Sequence, residues 1–314
     1  MIMKILSPGP LSTVQDMGRV GYMKSGFSQN GAMDSYAMQI ANILVGNACC
    51  EGVIEMTFMG ISAEFDTDTV IAITGADMQP KINGESIAMY TAYQIKKGDT
   101  LSLGMASEGM RAYLAIAGGF DIAKKMGSLS TNIKCKIGGI DGGRLKADDE
   151  IFLKRGARLL DQTTRSYKKK STPKKLVVRV ILGPQDDYFT QKGKERFFSS
   201  VYTVSDKSDR MGIRLDGESV ESVSGVDIIS DGIAFGSVQI PASGKPIIMM
   251  ADRQTTGGYA KIATVISVDL SILAQARPGS EIIFKAVNEK TALKLLKKRE
   301  KELRALNKKI NFGV

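Results

Sequence analysis

The sequence predicts a mainly β protein built from two related barrel-like halves, with few helices inside them and a helical C-terminus. Three observations carry this. Short apolar, β-branched runs bounded by glycine-rich turns recur through both halves. A small device, a turn with a polar residue followed by a short alternating strand, is found in each half. A polar, basic stretch without apolar periodicity divides the chain near its middle.

The strand runs are Val70-Ile71-Ala72-Ile73-Thr74 and Ala112-Tyr113-Leu114-Ala115-Ile116-Ala117 in the first half. Leu176-Val177-Val178-Arg179-Val180-Ile181-Leu182 and Ile262-Ala263-Thr264-Val265-Ile266-Ser267-Val268 are their counterparts in the second. The turn device reads Lys97-Gly98-Asp99 before Thr100-Leu101-Ser102-Leu103. It returns as Ala147-Asp148-Asp149 before Glu150-Ile151-Phe152-Leu153, and as Pro278-Gly279-Ser280 before Glu281-Ile282-Ile283-Phe284. Three helices are expected. Met33, Ala37, Ile40, Ala41 and Leu44 share one helical face, and Gly46 supplies a stop. Asp186–Phe198 is a second candidate. The third runs from Glu289 to Ile310, where Leu296, Leu303, Leu306 and Ile310 form an apolar stripe on a charged helix that packing explains best.

A length of 314 residues suits two domains. The expected division is residues 1–160 and 176–286 as the two β units, 161–175 as an exposed basic linker, and 287–314 as a basic terminal helix. No apolar run approaches the roughly 18 residues of a membrane span, and the N-terminus lacks the pattern of a signal peptide. A soluble, cytoplasmic chain without membrane attachment is expected. The three cysteines, Cys49, Cys50 and Cys135, suit free thiols rather than a disulfide framework.

Histidine is absent. This excludes Ser-His-Asp and Cys-His nucleophile pairs and every histidine-containing zinc site, and three scattered cysteines cannot make an all-cysteine one. No metal site is expected. The formal charge of +10 invites a nucleic-acid reading, but +8 of it lies in residues 154–175 and +7 in 290–314, leaving the body at −5. With no tryptophan, and Tyr167 the one aromatic residue lying between basic residues of the two clusters, specific nucleic-acid binding is not expected.

The densest chemistry lies in Asp252-Arg253-Gln254-Thr255-Thr256-Gly257-Gly258-Tyr259, after the apolar run Pro246-Ile247-Ile248-Met249-Met250-Ala251. A carboxylate, a guanidinium, an amide and two hydroxyls stand together, and two glycines then allow close approach of a ligand. A polar turn is the plainer reading of the same residues. Three further polar clusters stand out: Gln15, Asp16 and Arg19 after the Pro8-Gly9-Pro10 turn; Asn30-Gly31-Ala32-Met33-Asp34 at a helix start; and Ser208-Asp209-Arg210. Asp34 suits either an anion-binding helix N-terminus or a simple cap. Gly244-Lys245 lacks the upstream glycine of a phosphate-binding loop, and Gly138-Gly139-Ile140-Asp141-Gly142-Gly143 reads as a pair of turns.

Together these segments resemble the KipA-like family, also described as allophanate hydrolase subunit 2-like or biotin-dependent carboxyltransferase-like. The matching segments are Ser7-Pro8-Gly9-Pro10-Leu11 through Arg19, Gly31-Ala32-Met33-Asp34, Ala115-Ile116-Ala117-Gly118-Gly119, Gly183-Pro184-Gln185-Asp186, Ser208 through Gly212, and Asp252 through Tyr259 with Lys261-Ile262-Ala263. They follow in family order from residue 5 to about 285. The chain departs from the family pattern at Leu129, where an arginine is usual, at Asn30 (serine) and at Ala260 (proline).

The resemblance implies two cyclophilin-like β-barrel domains. Its nearest functional counterpart is the C subunit of an ATP-dependent 5-oxoprolinase. That counterpart implies a complex with a KipI-like chain and a LamB/YcsF-like chain that opens the 5-oxoproline lactam to L-glutamate. Water attacks a lactam poorly, and phosphorylation of its oxygen activates the carbon. Such a step needs donors at the amide oxygen and an acceptor for the ring N–H. The resemblance places Arg253, Gln254, Thr255 and Thr256 as donors and Asp252 as acceptor, with Arg19 and Arg210 facing phosphate. Gln15, Asp16, Asp34, Ser208, Asp209, Gly257, Gly258 and Tyr259 complete the expected binding set. ATP is the expected cofactor, held by or shared with a partner chain. Two alternatives accompany this reading: a carboxyltransferase component acting on biotin carried by another chain, and a KipA-like regulator that antagonises a KipI-like kinase inhibitor.

Overall fold

The computed structural model describes residues 1–155, 165–169 and 175–311. The chain is mainly β and divides into two units that are not consecutive halves. Met1–Val20, Asn30–Lys170 and Lys301–Val314 form the first, and Gly21–Gln29 with Ser171–Glu300 the second. Four α-helices are found among the described residues: α1 (Ser35–Leu44), α2 (Gln191–Ser199), α3 (Leu270–Ala274) and α4 (Glu289–Asn311). No helix among the described residues is long and apolar enough to cross a membrane.

In the first unit two antiparallel sheets enclose a core. One sheet orders its strands Glu150–Phe152, Ile2–Ser7, Ser62–Phe65, Thr100–Ser102, Lys81–Ile82, Glu85–Ser86. The other orders Leu11–Gln15, Val53–Thr57, Glu108–Ile116, Thr69–Asp77, Ala92–Ile95. Met3, Ile5, Phe65, Leu101 and Ile151 of the first sheet are buried in one cluster with Val14, Ile54, Met56, Ile71, Ile73, Leu114 and Ile116 of the second. The opposite face of the second sheet is also covered. Val53, Val70, Ala72, Tyr113 and Ala115 pack with α1 and with Leu303, Leu306 and Ile310 of α4. A central strand covered on both faces needs apolar residues at every position, which is why 70–73 reads as a continuous run rather than an alternation.

Helix α1 starts where Asp34 accepts a hydrogen bond from the Ala37 N–H at 3.0 Å, and the Gly46 N–H closes its end onto Ile43 O. The described part of the expected linker is not free. The Ala92 N–H donates to Arg165 O, the Tyr167 N–H donates to Tyr90 O, and the Tyr167 hydroxyl meets that of Tyr36 at 3.0 Å. Tyr167 supplies the apolar contact that lets this basic stretch line the sheet edge. Residues 161–164 and 170–174 of the linker lie outside the described residues.

The second unit holds a closed barrel of seven strands among the described residues. Their order is Lys175–Leu182, Lys261–Val265, Ser237–Gln239, Ile247–Met249, Gly212–Asp216, Tyr202–Val204, Glu281–Ala286, and the last pairs in parallel with the first. Leu176, Val178 and Val180 alternate inward, while Val177 points out at 48% exposure. The expected helix over 186–198 is interrupted. A 3₁₀ turn at Asp186–Tyr188 precedes α2, which begins after Thr190, whose hydroxyl accepts from the Gly193 N–H at 2.9 Å. Phe197 of α2 then stacks on Phe284 with ring centroids 4.4 Å apart. Outside the barrel, Asp227–Gly232 and Thr256–Tyr259 form a two-stranded ribbon.

The recurring turn device has one geometry in all three places. Asp99, Asp149 and Ser280 each accept, through the side chain, the N–H of the residue three positions earlier: Lys96 at 2.7 Å, Lys146 at 2.8 Å and Arg277 at 3.0 Å. The residue before each acceptor takes a positive φ: Gly98, Asp148 and Gly279. Each turn then exchanges two backbone hydrogen bonds with one residue of a neighbouring strand, respectively Phe65, Ile5 and Val204. Two of these corners lie in the first unit and one in the second.

Candidate functional site

The segment Asp252–Tyr259 begins as a turn and ends as a strand. Ile247–Met249 is a barrel strand, and Met250 and Ala251 stay fully buried behind it. Asp252 is held at the turn by Arg210, whose Nε and Nη2 donate to Oδ2 and Oδ1 at 2.9 Å each. Arg253 is 3% exposed. Its Nε donates to Ile233 O at 3.0 Å, Nη1 to Met250 O at 3.3 Å and Nη2 to Gln29 Oε1 at 3.2 Å. The guanidinium also lies 5.2 Å from the Phe235 ring centroid. Burial pulls its pKa from 12.5 down to about 10, which leaves it charged at neutral pH.

These contacts change the parts expected of three residues. Asp252 and Arg210 form a bidentate pair that joins two loops, and Arg253 pins the turn to the chain around Gln29. Side chains engaged in this way hold the frame on which the exposed residues of the segment stand. Asp209 and Ser208 likewise build local structure: Asp209 Oδ1 accepts from the Met211 and Gly212 N–H groups at 2.8 and 3.1 Å, and the Ser208 hydroxyl accepts from the Arg214 N–H at 3.1 Å. What faces solvent is the second part of the segment. Gln254, Thr256 and Tyr259 are exposed, and Thr255 and Gly258 are partly so. Thr256–Tyr259 are strand residues of the ribbon rather than loop, because Asp231 and Gly232 pair with Gly257 and Thr256.

In the first unit, Gln15, Asp16 and Arg19 come together with a partner set that their own neighbourhood in sequence did not indicate. Asp16 accepts from the Gly18 N–H at 2.8 Å and from the Ser128 hydroxyl, the Leu129 N–H and the Ser130 hydroxyl at 2.6 Å each. Arg19, 1% exposed, donates to Ser130 O and to Asn30 Oδ1, the latter at 3.1 Å. Asn132 donates to the same Asn30 oxygen at 3.2 Å. Asn30 has φ +57, a conformation asparagine tolerates better than most residues. Gln15 donates to Thr13 Oγ1 and Thr131 O, and its buried Oε1 has no hydrogen-bond partner among the described residues. Gly138, at φ +73, stands where an added Cβ would come within 2.4 Å of Arg19 Nη2. The Asp34 carboxylate caps α1, accepting from the Ala37 N–H.

Lys261, Asp231 and Gln239 of the second unit stand outside the expected binding set. Lys261 is 3% exposed and its Nζ lies 2.6 Å from Asp231 Oδ2. The available signal was a lysine directly preceding the apolar run Ile262-Ala263, a charge placed in a strand otherwise buried. Lys245, excluded above from a phosphate loop, pairs with Asp216 at 2.9 Å. Cys49, Cys50 and Cys135 are free thiols. Among the described residues no group of three or more His, Cys, Asp or Glu side chains is placed to hold a metal ion.

Comparison with known proteins bears on the whole of this frame. The family model for the carboxyltransferase domain, subdomain A and B, matches residues 25–286. A protein of Haemophilus influenzae, named as the C subunit of 5-oxoprolinase, is 38% identical over 94% of this chain and 94% of its own length. Its namesake from Escherichia coli is 36% identical over 93% and 94%. The crystal structure of the K. lactis urea amidolyase superposes with a TM-score of 0.90 at 29% identity, covering 97% of this chain but only 20% of that protein. The chain belongs to the carboxyltransferase subdomain A and B family.

Proposed function

We propose that this chain is the C subunit of an ATP-dependent 5-oxoprolinase, active with partner chains, that opens the lactam of 5-oxoproline to L-glutamate. One observation carries the reading: both relatives named as the C subunit of 5-oxoprolinase match from end to end, 94% of their length against more than nine-tenths of this chain. Both relatives are named as one subunit, and this reading makes the chain one component of an assembly. Gln254, Thr255 and Thr256 supply donors and acceptors at an accessible edge, on a frame fixed by Arg210, Asp252 and Arg253. Rigid placement of such groups is what amide-oxygen recognition requires.

The nucleotide is a poor match to this chain's own residues. Arg19 and Arg210, the guanidinium groups expected to face phosphate, are engaged by Asn30 and Ser130 and by Asp252. We therefore assign ATP to a partner, with a KipI-like chain and a LamB/YcsF-like chain as the expected set. Co-expression of the three chains, followed by measurement of glutamate formed from 5-oxoproline, tests the reading. Turnover that requires ATP and all three chains is expected, and no glutamate from the complete assembly overturns it.

The likeness to urea amidolyase favours a second reading, a carboxyltransferase component that accepts carboxylated biotin from another chain. Transfer of carboxylate from carboxybiotin to an amide acceptor, in an assembly that yields no glutamate, selects it.

A further inference from the structure

Lys261 is a cation inside the second unit, with 3% of its side chain exposed. An ammonium carries three N–H donors. One donates to Asp231 Oδ2 at 2.6 Å and one to Gly232 O at 3.2 Å, and these are its only hydrogen bonds among the described residues. One donor of a buried charge is left for something else. Its carboxylate partner has the opposite character, since the Asp231 side chain is 55% exposed. The pair thus runs from the interior to the surface.

Four relations close a ring around this pair. Lys261 is hydrogen-bonded to Asp231. Asp231 stands opposite Gly257 in the ribbon. An added Cβ on Gly257 would lie 2.9 Å from both Gln239 Nε2 and Gln254 Nε2. Gln239 stands opposite Lys261 across the barrel ladder, and directly opposed residues share a face. The absent side chain at Gly257 therefore leaves two carboxamide nitrogens gathered at one backbone position, beside a lysine with a spare donor and a partly exposed carboxylate.

We propose that Lys261, Gln239 and Gln254 form the site that receives the oxygen of a cyclic N–H–C=O ligand, with Asp231 accepting the ligand N–H. The ligand class is a five-membered lactam or ureido ring, represented by 5-oxoproline and biotin. A neutral amide presents one acceptor and one donor side by side. Gln239 Nε2 keeps one N–H beyond its bond to Tyr259 O at 3.3 Å, and the Asp231 carboxylate keeps acceptor capacity beyond the Gly232 N–H at 2.7 Å and Lys261. The proposal rests on the function proposed above and adds the residues that recognise the substrate. Lys261, Asp231 and Gln239 are its new elements.

Two measurements test it. In the assembled three-chain complex, Lys261→Met and the exposed-site variant Gln254→Ala are expected to raise KM for 5-oxoproline about 10- to 100-fold, the size expected for losing a charged or polar hydrogen bond to the ligand. Lys261→Arg is expected to recover part of the loss. Unchanged KM and kcat in both Lys261→Met and Gln254→Ala, in a complex that turns over as wild type, overturns the site while leaving the function intact. If the wild-type complex forms no glutamate, the function falls and the site is judged by titration calorimetry of the full chain with 5-oxoproline and with biotin. Binding of either that weakens in Gln254→Ala supports the site and identifies the ring recognised. Absence of binding of both, or binding indifferent to Gln254→Ala and Lys261→Met, overturns it.

Discussion

Arg210 and Asp252 meet through two parallel N–H···O bonds of 2.9 Å, and the Asp252 N–H returns a third bond to Arg210 O at 2.8 Å. The pair joins residues 42 positions apart and sets where the segment to Tyr259 begins. Its side chains are 8% and 22% exposed, so removing either partner takes a bidentate, charge-assisted contact out of a largely dry place. Arg210→Met and Asp252→Leu are each expected to cost about 3 kcal/mol, and the double variant less than the sum of the two. Denaturant unfolding of the four members of the cycle measures this.

Asp16 is satisfied by two hydroxyls and two backbone N–H groups in a buried setting. Ser128→Ala and Ser130→Ala are each expected to destabilise by about 1–3 kcal/mol. Asp16→Asn is expected to cost more, because an amide sets its own donors against those that surround it. Thermal melts of the three variants check the ranking, and equal melting temperatures would show that the cluster is not what holds residues 128–132.

Gly257→Ala separates folding from recognition. The new methyl meets the ends of flexible side chains, Ile233 Cδ1 at 2.6 Å and the two glutamine Nε2 atoms at 2.9 Å, so they yield at a cost of about 1 kcal/mol. The expected outcome is a folded variant with a slightly lower Tm whose complex loses at least about tenfold in turnover of 5-oxoproline, since about 1.4 kcal/mol of lost substrate contact gives that factor. Full turnover in this variant would place the reaction away from the ribbon.

Tyr202 gives the second unit an alkaline limit. Burial raises its phenol from 10.0 to about 12, outweighing the opposing effect of a hydrogen bond with Ser200. The folded chain keeps the proton that the unfolded chain releases above pH 10. Stability from this group is therefore complete below pH 10 and is lost as pH rises towards 12. Tyr202→Phe is expected to unfold less readily than wild type across that interval while matching or exceeding it at pH 8. Urea unfolding at pH 8, 10 and 11 reads the difference.

Much of the fold was legible because its signals are local. The run at 70–73, the stripe on α4 and the three corner turns each announce themselves within a few residues, and each is found where expected. The break between Tyr188 and α2 was less legible, since it depends on a hydroxyl cap at Thr190 within an otherwise helical composition. The candidate site was legible in outline only. Sequence proximity put Arg253 and Asp252 together as reacting groups, but whether a charge faces a ligand or the interior depends on residues such as Gln29 and Arg210 that lie far away in the chain. Asp16 and Ser130, 114 positions apart, and Lys261 and Asp231, 30 apart, are pairs that only the folded arrangement of strands creates.

The interleaving of the two units has an evolutionary corollary. Gln29 and Ser28, which hold Arg253, come from the short excursion Gly21–Gln29, while the chain's last turns return to the first unit. A cut at the boundary between Lys170 and Ser171 would leave Arg253 without Gln29 and the first unit without Leu303. Units joined in this way are expected to travel together. The far longer urea amidolyase carries them that way, matching 97% of this chain within a fifth of its own length.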